Sequence, residues 1–185
     1  MTDKLNEASL SRLYKKMQTL NVGMISAFRG DKTVSQNKLN NLSLKAKLLS
    51  DGFDVTKIYG SYIENYGSEN EQVVSEESFF VVETDKSPSV FDKLPEYGNM
   101  YDQDSVFLKQ AGEKGYLLGT SDRSDGFPPK GDKVVVGSPV MGKEGEFFSK
   151  VKNRPFTMKE ATEVEMPKTV TGRWALFKYR DMDVE

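Results

Sequence analysis

The chain contains neither histidine nor cysteine. Thiol nucleophiles, disulfides, thiolate or imidazole metal sites and every histidine-based triad or general base are therefore excluded. What remains is acid–base work by carboxylate, lysine or tyrosine, a hydroxyl nucleophile, or a hard cation held by oxygen. Two groups of residues could do such chemistry. Arg29 ends an apolar run shortly before a helix start, and with Asn37, Gln103, Asp104 and Ser105 it forms a candidate anion site. A helix N-terminus beside a guanidinium suits phosphate or carboxylate. The competing reading is a structural ion pair between Arg29 and Asp104. Tyr62, Glu64, Glu76 and Glu77 form an acidic candidate, suited to Mg²⁺ or Ca²⁺, to a shared proton, or to a partner. Glu76 and Glu77 are consecutive, so on a strand they point to opposite faces, which argues for a solvated acidic rim over a metal site. No metal or other cofactor is expected, and no residue is assigned a catalytic role.

The elements that must position these groups follow from periodicity. Residues 3–20 read as an amphipathic helix with Leu5, Leu13, Met17 and Leu20 on one stripe. Residues 22–28 read as a buried strand. Thr33 and Gln36 have capping-box spacing ahead of a helix with Leu39, Leu42, Ala46 and Leu49 at helical intervals, and Gly52 sits at its C-cap. Strands are predicted over 53–63 and 73–83, a short helix over 90–98, and a hairpin over 105–110 and 115–120. The resulting β-α-β-β-α-β order predicts an α+β, ferredoxin-like sheet with an N-terminal helix. Its first and third strands are expected to be adjacent, central and parallel. On that topology the Arg29 group lies at one end of the sheet and the acidic group at the other.

Residues 1–120 are read as the core domain, and 121–185 as a Gly/Pro-rich loop with an irregular C-terminal extension packed on it. Residues 121–146 are expected to be a long loop with one apolar run, Val134–Val136, and a last strand is expected over 173–179. The Gly-Lys-Glu of 142–144 lacks the ending of a phosphate-binding loop. The basic and aromatic stretch 147–156 is read as core phenylalanines with a wet basic face.

Charge is segregated. Residues 1–63 carry a net +5, residues 64–104 a net −9 and residues 105–185 a net +2. The acidic block disfavours whole-surface binding of nucleic acid and suits a partner protein with a basic surface. No apolar run is long enough to span a bilayer, so no membrane association is expected and the reading is cytoplasmic. Oligomeric state is not legible.

The phrases ISAFRG (25–30), Asn37 with Asn41, YGSYIENYG (59–67), EESFFVV (76–82), QDSV (103–106), LLGT (117–120) and GEFFSKVKNRPF (145–156) give the chain a further likeness. It resembles small proteins of tailed bacteriophages and some bacteria grouped as a domain of unknown function. The resemblance implies an accessory role in the host cytoplasm or virion, acting on a host or phage protein, and carries no activity. The reading is thus a non-catalytic protein-binding factor. The alternative is a small metal- or carboxylate-dependent enzyme acting on a nucleotide or nucleic acid through Arg29, Glu64, Glu77 and Asp104. Co-location of those four residues in one concave pocket would favour the enzyme, and placement at opposite sheet ends favours binding.

Overall fold

In the computed structural model, residues 12–64, 72–124, 126–141, 148–151 and 154–159 are described. A first helix, α1, is described over 12–19. Helix α2 spans Val34–Ser50 and α3 spans Val90–Met100. Thr33 opens α2 as its spacing predicts: its hydroxyl accepts from Gln36 N at 3.2 Å, and Gln36 Oε1 accepts from Thr33 N at 3.0 Å. Beyond the last turn Gly52 adopts φ 86°, a left-handed conformation that costs a glycine little.

The face α2 turns inward differs from the predicted one. Leu39 and Leu42 are 66% and 63% exposed, and Ala46 and Leu49 are exposed as well. Asn37, Asn41, Leu44 and Leu48 are buried instead. Two stripes at helical spacing run along this helix. Choosing the more apolar one fails because the buried partner of α2 is strand backbone, which needs amide donors and acceptors.

The strands are β1 (Val22–Ile25), β2 (Asp54–Glu64), β3 (Gln72–Val82), β4 (Ser105–Lys109), β5 (Gly115–Gly119), β6 (Lys133–Met141), β7 (Phe148–Val151) and β8 (Arg154–Lys159). The order β4-β1-β3-β2 is the ferredoxin-like arrangement expected for an α+β chain. β1 and β3 are adjacent and central but antiparallel, with Val22 opposite Val82 and Ile25 opposite Phe79. The sheet then continues through β5, β6, β8 and β7 back to β2 and closes into a barrel. Lys133–Met141, within the stretch expected to be loop, is thus a strand paired with both β5 and β8. The strand expected over 173–179 lies outside the described residues.

Alternation along the strands divides the core in two. Val22, Met24, Ile58, Phe80, Phe107, Leu117 and Val136 face the barrel interior, where Leu13 and Met17 of α1 join them. Ile25, Phe79, Val81, Val106 and Leu108 face outward and are covered by Leu44 and Leu48 of α2 and Leu94 and Tyr97 of α3. A side chain at Gly23 would run into Leu94, so this glycine permits close approach of α3 to β1. α1 closes the end of the barrel where β1 begins: Gln18 O accepts from Gly112 N at 3.1 Å, and Lys16 pairs with Asp54 at the start of β2. No helix among the described residues is long and apolar enough to cross a membrane.

Candidate functional site

The antiparallel pairing of β1 with β3 decides where the polar residues go. The end of β1, the start of β3, the start of β4 and the end of β5 all lie at the barrel end away from α1. Both groups singled out in the sequence therefore face the same end, and not opposite ends. The earlier placement followed from treating the two central strands as parallel.

Interior layers show the change of chemistry along the barrel. One layer, read across hydrogen-bonded neighbours, is Phe80, Met24, Phe107, Leu117 and Val134. Two residues further along each strand the same face carries Ser78, Ser26, Ser105 and Gly119. Ser105 lies directly opposite Gly119, while Ser26 and Ser78 follow directly on the Ile25–Phe79 pair. Large apolar groups thus give way in one step to a row of hydroxyls. Glu76 follows on the same face of β3 and is buried, 5% exposed. Ser78 Oγ and Ser105 Oγ are fully buried and find no hydrogen-bond partner among the described residues; neither does Gln103 Oε1. A buried polar atom left unsatisfied costs about 1–3 kcal/mol, so such atoms mark sites held for something else.

The inward asparagines of α2 fix this row. Asn41 Oδ1 accepts from Ala27 N and Asn41 Nδ2 donates to Glu77 O, both at 2.8 Å. Asn41 thus bridges β1 to β3 where their ladder ends. Ser26 Oγ also donates to Glu77 O at 3.0 Å and accepts from Phe28 N at 3.0 Å. One turn earlier, Asn37 holds both backbone groups of Arg29, its Oδ1 accepting from Arg29 N and its Nδ2 donating to Arg29 O, each at 2.8 Å. The two amides at i and i+4 act as a substitute strand for residues 27–29.

Arg29 is 4% exposed, and its guanidinium is engaged by protein carboxylates. Nε donates to Asp31 Oδ1 at 2.9 Å, and Nη1 lies 3.0 Å from Asp102 Oδ2 and also donates to Asp102 O. Asp102 takes a left-handed φ of 53° to present both groups. The acidic partners that meet Arg29 are thus Asp31 and Asp102, and the arginine clamps the β1–α2 loop to the α3–β4 loop. Gln103 reinforces the clamp through Nε2, which donates to Phe28 O at 3.1 Å. Asp104 O accepts from Thr120 N at 2.9 Å, which ties the start of β4 to the loop after β5.

Tyr62 and Glu64 lie further out along the β2–β3 hairpin, opposite Val74 and Gln72. The register sets Gly60 and Tyr59 opposite Glu76 and Glu77, so Tyr62 and Glu64 are displaced from the position the sequence suggested. Glu76 and Glu77 diverge as alternation requires: Glu77 points outward and pairs with Lys57, whose ammonium lies 5.1 Å from the Tyr59 ring centre. That Glu77 hydrogen bond raises the Lys57 pKa above its ordinary value. Among the described residues no group of acidic side chains could hold a metal ion.

The loop after β5 covers the polar end. A side chain at Gly119 would point into the barrel, and the carbonyls of Pro128 and Pro129 stand in that place. Phe127 packs on the interior cluster from the same loop. Sequence reasoning placed Ser26, Glu76 and Ser105 at strand ends but missed Ser78 and Gly119. Serines carry no hydropathy signal, and the inward row appears only once four strands are in register.

The model of the S-adenosylmethionine lyase family matches residues 23–172, most of the chain and all but the first residue of the strands named above. No curated protein matches the chain significantly. A lyase family is a family of enzymes, which overturns the reading as a non-catalytic protein-binding factor and favours the enzymatic alternative. The match is also to a family of stated chemistry, where the resemblance pointed to a domain of unknown function. With its inward polar row, its asparagine bridges and strands β2 to β8 inside the matched span, this chain belongs to the S-adenosylmethionine lyase family.

Proposed function

We propose that the chain cleaves S-adenosylmethionine at a carbon–sulfur bond, at the polar end of the barrel and with Glu76 as the principal charged group. The observation that carries this reading is Glu76, a buried carboxylate on the inward face beside the serine row. A sulfonium substrate brings a fixed positive charge, and a low-dielectric site holds that charge only beside an anion. Cleavage lets the electron pair of the broken bond return to sulfur, so methylthioadenosine leaves as a neutral thioether. Such a leaving group needs no proton, and the step needs no general acid. A chain without histidine is therefore adequate for this reaction.

Without water, the carbon can be satisfied by the substrate's own carboxylate. A carboxylate oxygen attacks Cγ, the Cγ–S bond breaks, and a five-membered lactone forms. Atoms and charge balance with no external acid, base or metal. The role of Glu76 is electrostatic: it binds the sulfonium and orients the side chain for attack.

The test is incubation of the full-length protein with S-adenosylmethionine in H₂¹⁸O, with products read by mass spectrometry. Methylthioadenosine should appear together with a lactone free of ¹⁸O. Label in a homoserine hydroxyl would show that water attacks Cγ and would reject the lyase reading, as would an absence of turnover.

A further inference from the structure

We infer that Ser78 and Ser105 bind the carboxylate of the substrate's amino-acid head, with Glu76 receiving the positive charge next to it. This assignment rests on the proposed cleavage of S-adenosylmethionine and names the part of that substrate the serine row takes.

The argument starts from satisfaction. Of the three inward serines, Ser26 is already engaged, donating to Glu77 O and accepting from Phe28 N. Ser78 and Ser105 flank it on the neighbouring strands β3 and β4, are fully buried, and find no hydrogen-bond partner among the described residues. Each has a hydroxyl donor to give. Strands are spaced by about 4.8 Å, which sets the two serine backbones roughly 10 Å apart. Inward side chains of a closed barrel converge, so their hydroxyls stand closer than that. A carboxylate between them, accepting an O–H···O bond of about 2.7 Å on each oxygen, spans a gap of this kind. Two neutral donors favour an anion, and an ammonium or sulfonium would gain nothing from them that Glu76 does not provide better.

The order along β3 supplies the polarity. Phe80 closes the floor, Ser78 comes next, and Glu76 lies two residues nearer the barrel mouth. A ligand entering head first would thus meet hydroxyls with its carboxylate and a carboxylate with its cationic part. The nucleoside would remain toward the mouth. Gly119 and Ser105 are opposite each other, and the Pro128 and Pro129 carbonyls press on Gly119, so residues 126–130 must move aside for the head to reach the row.

The test compares two uncleavable probes by titration calorimetry, S-adenosylhomocysteine with the amino-acid head and methylthioadenosine without it. Wild-type protein should bind the headed probe at least about tenfold more tightly, as expected for hydrogen bonds to a charged group. In S78A/S105A that ratio should collapse toward one, with methylthioadenosine affinity held within about twofold. The unliganded variant should melt no lower than wild type, since it loses hydroxyls that had no partner. S78A and S105A alone should each lower the ratio part of the way. A wild-type enzyme that cleaves its substrate while the double variant keeps the full ratio would overturn this assignment alone. A variant that melts well below wild type would also overturn it, by showing that the hydroxyls hold the fold. A wild-type protein that neither binds the probes nor turns over would overturn the parent reading and this one with it.

Discussion

The two ends of this barrel are built from the same strands and differ in what they do. At one end Leu13 and Met17 of α1 close over Val22, Met24 and Phe80 and complete an apolar core. At the other, one step along the same faces, the layer is Ser78, Ser26, Ser105 and Gly119, with Glu76 beyond it. The first end gains stability from every buried methylene. The second keeps, beside an interior carboxylate, buried hydroxyls that find no partner among the described residues, and unmet hydroxyls cost stability and are retained where binding uses them. Proteins commonly place function where local rules of folding are broken, and here the break falls between two adjacent layers.

This contrast can be probed from both ends. The largest effect on stability is expected from Met17→Ala, which opens a cavity at the plugged end. It should lower stability by about 3 kcal/mol while kcat and KM of the folded protein stay the same. Chemical denaturation and steady-state kinetics on one preparation separate the two effects. A comparable loss of kcat would mean that the two ends are coupled.

Asn41→Ala should come next, at about 2 kcal/mol, because it strips the partner from buried Ala27 N–H and removes a donor from Glu77 O. It should also reduce turnover, since the bridge sets the position of the row at the polar end. Loss of stability with turnover intact would reduce Asn41 to a purely structural role.

Lys109→Met is expected to stabilise the protein by about 1 kcal/mol at neutral pH. Lys109 is buried toward the plugged end, and burial pushes its pKa below the ordinary lysine value. Its folded pKa is thus the lower one, and between that value and 10.5 the unfolded chain holds more protons. Wild-type stability should therefore rise relative to K109M as pH increases through that window. A flat difference between pH 7 and 10 would contradict the burial of this ammonium.

The smallest effect belongs to Leu39→Lys on α2, within about 0.5 kcal/mol, because Leu39 faces solvent. Had the more apolar stripe of α2 been the core face, the same change would have been severely destabilising.

That substitution marks where sequence reasoning stopped. The capping pair Thr33 and Gln36, the Gly52 terminus, the hairpins and the ferredoxin-like strand order were legible because each has a local signal in residue type or period. The inward face of α2 was not. Its buried residues include Asn37 and Asn41, whose value lies in the strand backbone they satisfy, a non-local fact. The direction of β3 relative to β1 was not legible from apolar runs, which read the same both ways. That one error separated Arg29 and Glu76 into opposite ends and made a binding protein look preferable. The absence of histidine weighed the same way, because it removes the commonest general acid and base. The enzymatic reading was restored by the family match over residues 23–172, although the four residues first named for it do not gather: Glu77 points outward to Lys57 and Arg29 is held by Asp31 and Asp102.

The most direct test of the central claim compares wild type with Glu76→Gln, a nearly isosteric change that removes only the charge. Methylthioadenosine release should fall by about a thousandfold, the scale of losing a preorganised electrostatic group. Melting temperature should stay close to that of wild type, since the amide keeps the size and shape of the carboxylate. Turnover within a few-fold of wild type in a well-folded Glu76→Gln protein would contradict the account and move the reaction away from the polar end of the barrel.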